Sequence, residues 1–193
     1  MRKHISVVII SLLLCSCNNN NSVSPNNSAG TIWPFKKGSS WSVKFTTFDS
    51  SSKIIQINDD VWEFTSDTVI SGEQWFVLGL KWSRLASRED GIYLWYYDSG
   101  STPTIYLPYP SNVNSENKTS LWWVKTLSID STITIDGVKY RCYAYLRKRN
   151  PTEEYLSTEF FAPGLGPIRR DYYVTSAGGT KYMNMQLVYS KIK

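Results

Sequence analysis

From Trp33 onward, apolar and polar residues alternate with a period of two over much of the chain. Trp41, Val43 and Phe45 are each followed by a polar residue. The same alternation returns over residues 129–135, 139–147 and 182–189. A β-strand with one buried face has this period, because its side chains point alternately to its two faces. No window of 11 residues or more carries a convincing helical stripe, so these segments are predicted to be strands.

Glycine-containing turns separate the predicted strands. Asp136-Gly137 lies between two alternating runs, and this pair supplies the positive φ angles that a type I′ hairpin turn needs at both central positions. Further turns are predicted at residues 71–73, 90–91 and 177–179. Two polar, turn-rich stretches are predicted to form long loops around a short strand at 105–107. In the run after the hairpin, the buried row is predicted to comprise Tyr140, Cys142, Ala144 and Leu146.

Together these elements predict an all-β, antiparallel fold of about ten to twelve strands. That many twisted strands rarely stay one open sheet, because the twist makes them curl or split into two layers. We favour a strongly curled meander or incomplete barrel, with a two-layer β-sandwich as the alternative. No repeat or linker indicates a second domain within residues 32–193.

The N-terminus carries the features of an export signal. A basic start is followed by the apolar run 5–14, which is about half the ~20 residues that a membrane-spanning helix needs. Leu14-Cys15-Ser16-Cys17 then resembles a bacterial lipobox. The resemblance implies cleavage after residue 16, a diacylglycerol group on the sulfur of Cys17 and an amide-linked acyl chain such as palmitate. An ordinary secretory signal is the alternative.

This segment divides the chain into a signal peptide (1–16), a tether (17–31) and one β-rich domain (32–193). The tether is mostly Asn and Ser and has little to bury, so it is predicted to stay flexible and to hold the domain roughly 20 Å from the lipid. The expected partner is a membrane, reached through the lipid anchor. Asn18 replaces the Asp associated with inner-membrane retention in some bacteria, so the outer membrane is the expected location in the cell envelope.

Charge and residue inventory exclude several chemistries. Two of the 21 Lys and Arg residues lie in the signal, so the mature chain is only weakly basic against its 16 acidic residues, and no nucleic-acid-binding stripe is present. The clusters 147–149 and 169–170 are predicted to be solvated strand ends, or alternatively contacts for anionic envelope polymers.

His4 is the one histidine and leaves with the signal, which removes Ser-His-Asp and Cys-His nucleophile pairs. Cys142 is then a lone thiol and is predicted to be buried; no metal or other cofactor is expected.

Aromatic residues supply the candidate binding positions. Residues 91–97 are apolar on both faces, with Tyr93, Trp95 and Tyr97 on one of them. That row is predicted to be buried in a central strand, or alternatively to form a surface row of rings that stacks on sugars. One residue of the pair Trp122-Trp123 is predicted to face outward, since adjacent strand residues point to opposite faces. Tyr93, Trp95, Tyr97 and Trp122 are therefore the candidate binding residues, for a glycan or an envelope polymer.

The stretch 160–170 contains Phe-Ala-Pro-Gly-Leu-Gly followed by a basic segment. Its two prolines and two glycines force a tight connection that fits neither a helix nor a central strand. This context resembles a pattern in uncharacterised envelope lipoproteins of Gram-negative bacteria, together with residues 33–41 and 66–73. The resemblance implies a β-rich lipoprotein domain with no established activity and carries over no catalytic residues. The turn itself is predicted to be structural.

Three functions follow as hypotheses. The first is a non-catalytic binding or scaffolding domain of an outer-envelope lipoprotein. The second is a carrier or chaperone that holds a lipid or other apolar ligand in a concave sheet. The third is a polysaccharide hydrolase, which needs two carboxyl groups about 5–10 Å apart across a cleft. Its candidate acids are Glu73, Glu89, Asp90, Glu116, Glu153, Glu154, Glu159 and Asp171.

Overall fold

The computed structural model describes residues 22–23, 31–79, 83–96, 102–119, 122–149, 155–176 and 179–193. Over these residues, all regular structure is strand. Within the described ranges, no helix is long and apolar enough to cross a bilayer. The strands are β1 (Ser22–Val23), β2 (Ser40–Phe48), β3 (Ile54–Ile70), β4 (Glu73–Leu78), β5 (Ser83–Arg88), β6 (Gly91–Tyr96), β7 (Thr104–Pro108), β8 (Glu116–Lys118), β9 (Trp122–Ile135), β10 (Val138–Arg149), β11 (Tyr155–Ala162), β12 (Gly166–Ser176) and β13 (Gly179–Lys191).

All of these strands belong to one sheet, in the order β7-β6-β5-β4-β3-β2-β13-β12-β11-β10-β9-β8. Neighbours along this path are antiparallel, and the two-residue β1 adds to β10 in parallel. The sheet curls until its end strand β7 comes near β9, beside the short strand β8 at the other end of the path, and leaves a single seam. The predicted all-β incomplete barrel is therefore confirmed, and the sandwich alternative is not adopted. The described residues form one strand more than the predicted maximum of twelve, because β1 is an added strand.

The turns predicted at 71–73, 90–91 and 136–137 form close to where the sequence places them, whereas the turn predicted at 177–179 falls on residues 177 and 178, which lie outside the described ranges. Asp136 has φ 48° and Gly137 has φ 81°, so both central residues of this hairpin have positive φ, as a type I′ turn requires. The predicted short strand at 105–107 is present as β7. The turns at 71–72, 89–90, 136–137 and 163–165 lie at one end of the incomplete barrel, called here the closed end.

Aromatic side chains fill the closed end. Trp33 is fully buried, and its ring centroid lies 5.6 Å from that of Trp41 and 5.7 Å from that of Phe161. The Pro-Gly turn packs against this cluster: Trp41 Nε1 donates a hydrogen bond to the Leu165 carbonyl over 2.6 Å. Gly166 has φ +94°, and a Cβ there would lie 2.6 Å from Cδ1 of Trp33. The turn residues therefore serve close packing, as expected of a structural turn.

The register of β10 overturns part of the predicted burial. Over residues 143–148 β10 pairs with β11 without a break, which sets Tyr145 opposite the buried Glu159 and Arg147 opposite the buried Ser157, so these side chains face inward. The pairing with β9 shifts on both sides of Ala144, and the extra residues of these bulges lie in β9. Cys142 and Ala144 are buried as predicted, but Tyr145 follows at 0% exposure and Arg147 at 3%, whereas Leu146 is only half-buried. The prediction that Arg147 is a solvated strand end is wrong. Arg170 is also largely shielded, with 15% of its side chain exposed.

Candidate functional site

Two of the candidate binding residues lie together on the outer face of the sheet. Tyr93 and Trp95 are two residues apart on β6 and both are half-buried. Their inward-facing neighbours Ile92 and Leu94 belong to the core. Tyr97 and Cys17 lie outside the described residues.

Three aromatic residues and two arginines form a continuous cluster on this face, called here the outer aromatic strip: Trp75, Arg84, Arg88, Tyr93 and Trp95. Register explains the cluster, because Arg84 of β5 pairs directly with Trp95 of β6 and one strand further Trp75 of β4 reaches the same ring. The centroids of Trp75 and Trp95 are 5.6 Å apart in an edge-to-face arrangement. The Arg88 guanidinium lies 3.9 Å from the centre of the Tyr93 ring. Cation–π contacts of this kind hold both partners in place.

The charges of the strip are largely paired. Arg88 donates two hydrogen bonds to the Glu73 carboxylate, over 2.7 and 2.9 Å, and this bond lowers the pKa of Glu73. The Tyr93 hydroxyl donates to Asp90 over 2.8 Å. Burial, and then this contact with a carboxylate, raises the pKa of Tyr93. The strip is thus a rigid surface that offers half-exposed ring surface beside hydrogen-bonding groups.

Trp122 contacts a different part of the molecule. It lies at the start of β9 with its ring 5.5 Å from the guanidinium of the buried Arg147. Trp123 has the other orientation: its Nε1 donates to Glu116 over 3.1 Å, and the Lys148 ammonium lies 5.3 Å from its ring centre. The outward-facing residue of this pair is Trp123, so Trp122 does not belong to the outer aromatic strip.

Four polar side chains meet inside the incomplete barrel and form what is called here the seam cluster: Tyr106, Arg147, Glu159 and Arg170. Glu159 is 1% exposed and lies between the two guanidinium groups, 3.4 Å from Arg147 and 3.3 Å from Arg170. Arg170 donates to the Tyr106 hydroxyl over 2.7 Å, and the Arg147 guanidinium stacks 3.7 Å from the centre of the Tyr106 ring. The cluster joins β7 to the opposite wall formed by β10, β11 and β12.

The electrostatics of Glu159 reflect both burial and its partners. Burial opposes its ionisation, but the charges of Arg147 and Arg170 outweigh that effect, and hydrogen bonds from Ser157 and Tyr106 add to it. The net result is a pKa below the ordinary value for a glutamate. Glu159 is therefore an ionised carboxylate whose charge is matched by neighbouring cations.

Arg147 of the seam cluster and its neighbour on β10, Tyr145, bind backbone carbonyls on the free edge of β7. Arg147 donates to the Tyr106 carbonyl over 2.8 Å, and the Tyr145 hydroxyl donates to the Pro108 carbonyl over 3.0 Å. These two carbonyls are alternate acceptors along the edge that lacks a strand neighbour in the described sheet. Side chains thus close the seam where a strand ladder does not.

Sequence reasoning missed this cluster, although one signal was available. Glu159 shares the buried face of β11 with Ser157 and Phe161, so a charged residue occupies a row that is otherwise shielded. A charge in such a row indicates a buried, paired group, since an unpaired one would be very costly. Its partner Arg147 could not be read in the same way, because the alternation along β10 predicts the opposite row of that strand to face inward.

Four of the candidate acids of the hydrolase hypothesis are held by cations, and Asp90 accepts a hydrogen bond from the Tyr93 hydroxyl. Glu73 contacts Arg88, Glu116 contacts Lys125 and Asp171 contacts Arg169, while Glu159 lies in the seam cluster. Glu153 and Glu154 lie outside the described residues. In the part of the chain that the structure describes, no group of three or more His, Cys, Asp or Glu residues is arranged to hold a metal ion.

Comparisons with known proteins give only distant likenesses. The sequence matches no protein-family model and no curated protein. Among solved structures, a candidate lipoprotein from Parabacteroides distasonis is 11% identical, with a TM-score of 0.40 over 84% of this chain and 99% of its own. A candidate exported protein with a YmcC-like fold from Bacteroides fragilis is 10% identical, with a TM-score of 0.42 over 84% of this chain and 100% of its own. A DUF1329 family protein from Desulfovibrio piger is 10% identical, with a TM-score of 0.25 over 82% and 87%. At these values no function is transferred.

Proposed function

We propose that the protein is a lipid-anchored component of the outer envelope whose β-domain binds a glycan or envelope polymer without catalysis. Cys17 carries the lipid in this proposal, and the Asn- and Ser-rich tether separates the membrane from the domain. The binding surface is the outer aromatic strip, with Tyr93 and Trp95 as the contact residues.

The observation that carries the proposal is the pair of half-buried rings of Tyr93 and Trp95 on one outward face. Aromatic rings with a polar tip are suited to sugar recognition, because the ring covers apolar C–H groups while neighbouring polar groups bond to hydroxyls. Both rings are held by neighbouring side chains: Arg88 contacts the Tyr93 ring, while Arg84 and Trp75 contact the Trp95 ring. A surface that is already rigid loses little conformational entropy on binding.

Electrostatics support a non-catalytic domain. A glycosidase general acid needs a raised pKa so that it carries a proton at working pH. The pKa values of Glu73, Glu116 and Glu159 are all shifted downward, by Arg88, by Trp123 and by the arginines of the seam cluster respectively. These three carboxyl groups are poor proton donors, and each is bound by a different cationic side chain.

The carrier hypothesis receives less support. Its concave interior would need space, but Trp33 and the rings around it fill the closed end, and the seam cluster occupies the interior further along. A lipid or apolar ligand carrier therefore stays an alternative without a specific observation in its favour.

A glycan array tests the proposal with the full-length protein in detergent. We expect binding to at least one polysaccharide class, weakened tenfold or more by Trp95→Ala and by Tyr93→Ala. Tyr189→Ala is the matched control, because Tyr189 is an exposed aromatic residue on β13 and lies outside the strip. Absence of binding above background, or equal losses in all three variants, would contradict the proposal.

A further inference from the structure

β3 is the longest strand, with 17 residues, and only part of it has neighbours on both sides. Residues 64–70 pair with β4, whereas residues 54–63 pair with β2 alone among the described strands. We call this second side of Ile54–Glu63 the open edge of β3.

Two hydrogen bonds show which backbone groups face the open edge. Gly79 donates to the Glu63 carbonyl over 2.9 Å, directly after β4 ends. The amide of Val61 is bound over 2.8 Å by the carboxylate of its own neighbour Asp60 instead of by β2. Because backbone groups of successive residues point to opposite sides of a strand, the amides and carbonyls of Ile57 and Asp59 also face this edge.

The edge is apolar as well as unpaired. Ile55, Ile57 and Val61 are 51%, 56% and 58% exposed. Native sheets usually blunt or cover an edge of this kind, since it can template the pairing of another chain. Another free edge among the described strands, on β7, is covered by Tyr145 and Arg147. The open edge of β3 lacks such a cover among the described side chains.

A groove extends along the open edge from the point where β4 stops. Its volume is about 640 Å³, and it is lined by β3 residues 60–63 and Thr65 on one side and by Leu78, Gly79 and Ser83 on the other. An added strand in the line of β4 would lie in this groove, at the ~4.8 Å spacing of paired strands.

Charge indicates what kind of strand would fit. Asp59, Asp60 and Glu63 are clustered along the open edge, and only Asp59 has a cation as its cross-strand neighbour, Lys44. This acidic segment belongs to a chain of net positive charge. A second copy paired edge to edge would bring the carboxylates of the two molecules together, and an anionic lipid surface would be repelled.

We propose that the open edge of β3 binds an extended segment of a partner protein, in which basic and apolar residues alternate, as an additional strand. Backbone hydrogen bonds to Ile57 and Asp59 supply the affinity that any extended chain could use, and the acidic residues select a basic one. This site lies apart from the outer aromatic strip, so the glycan proposal can fail without affecting it.

The test uses a fluorescein-labelled peptide of sequence Lys-Val-Lys-Val-Lys-Val-Lys and the full-length protein, with binding followed by fluorescence anisotropy. We expect saturable binding that is at least tenfold weaker for the same peptide with all its amides N-methylated, because that peptide keeps its charge but cannot donate backbone hydrogen bonds. Ile57→Pro and the double variant Asp60→Asn/Glu63→Gln should each weaken binding tenfold or more. Glu89→Lys changes an exposed acid in a distant turn and should leave affinity within twofold.

Hydrogen exchange identifies the site without any substitution. Bound peptide should slow exchange at the amides of Ile57 and Asp59. The proposal is overturned if the N-methylated peptide binds equally well, since attraction would then be electrostatic only. It is also overturned if the protected amides lie elsewhere in the protein. A third contrary outcome is that Ile57→Pro leaves peptide binding unchanged but abolishes self-association or binding to anionic vesicles, because the edge would then serve a second copy or a membrane.

Discussion

Glu159 shows how one buried charge is tolerated in this protein. Its carboxylate is almost fully shielded and lies between the Arg147 and Arg170 guanidinium groups. Taking ions out of water costs several kcal/mol per group, and the cost is recovered only when partners and hydrogen bonds are well placed. The two arginines therefore keep Glu159 ionised, and removal of its charge would leave two guanidinium groups facing each other without an anion between them.

Glu159→Gln is expected to destabilise the fold by about 3–5 kcal/mol at neutral pH, because an unpaired buried cation is left behind. Urea unfolding measures the change. Glu89→Gln, at an exposed turn, should alter the free energy of unfolding by no more than about 0.5 kcal/mol. An equally small change for Glu159→Gln would show that the seam cluster does not stabilise the molecule.

The lowered pKa of Glu159 also predicts a pH dependence. The folded state holds the proton less tightly than the unfolded chain does, so the unfolded state binds more protons as pH falls. The stability from Glu159 is present above its unfolded value of 4.5 and is lost as pH falls through the lower folded value. Wild-type protein should lose stability over that window, and Glu159→Gln should lose less when both are unfolded in urea at a series of pH values.

Gly166 is the residue on which packing at the closed end depends. A side chain there would be strained by φ +94° and would also press on Trp33, whereas Gly164 has φ +75° but open space around it. Gly164→Ala should cost about 1–2 kcal/mol from backbone strain. Gly166→Ala should cost about 1–3 kcal/mol more from overpacking. Thermal unfolding of the two variants isolates the contact with Trp33, and equal losses would contradict its role.

At the level of elements, the seam is closed by side chains where a strand ladder is absent. β7 is hydrogen-bonded to β6 on one side, and on the other its alternate carbonyls accept hydrogen bonds from Arg147 and Tyr145. The register of β10 with β11 makes this possible, because it places Tyr145 and Arg147 on the buried face that Glu159 and Ser157 share. Side chains of one strand thus protect the edge of another.

Tyr145→Phe removes the donor to the Pro108 carbonyl while it keeps the ring in the core. Leaving a buried acceptor unsatisfied should cost about 1–3 kcal/mol and loosen the end of β7. Hydrogen exchange should become faster at amides of β6 and β7 and stay unchanged at the pairing of β2 with β13. Tyr189→Phe, on an exposed ring, is the control, and unaltered exchange in β7 would contradict the role given to Tyr145.

At the level of the whole molecule, the proposed anchor makes a prediction of its own. Cys17→Ser should move the protein from the membrane fraction to the soluble fraction, because the acyl chains would have no attachment site. Cys15→Ala should leave it in the membrane fraction, since residue 15 leaves with the signal. Mass spectrometry of the mature N-terminal peptide reads the modification directly, and an unmodified thiol at Cys17 would contradict the lipid anchor.

The strands and turns were readable from the sequence because their signals are local. A side-chain period of two and an Asp-Gly pair express the geometry of a few consecutive residues, and they predicted the all-β class, the 136–137 hairpin and the short strand β7. The same-face placement of Tyr93 and Trp95 followed from that period. The contribution of Trp75 and the arginines depends on strand register, which the alternation of one strand does not specify.

The seam cluster could not be predicted from the sequence, because it depends on contacts between distant parts of the chain. Tyr106 and Glu159 are 53 positions apart, and they meet only after the sheet has curled through all of its intervening strands. Arg147 faces them because β10 pairs with β11 in a register that sets Arg147 opposite the buried Ser157, and a register different by one residue would exchange the two faces of the strand. Local pattern thus established which segments are strands, while the curl of the sheet and the register of its strands established which of their side chains meet.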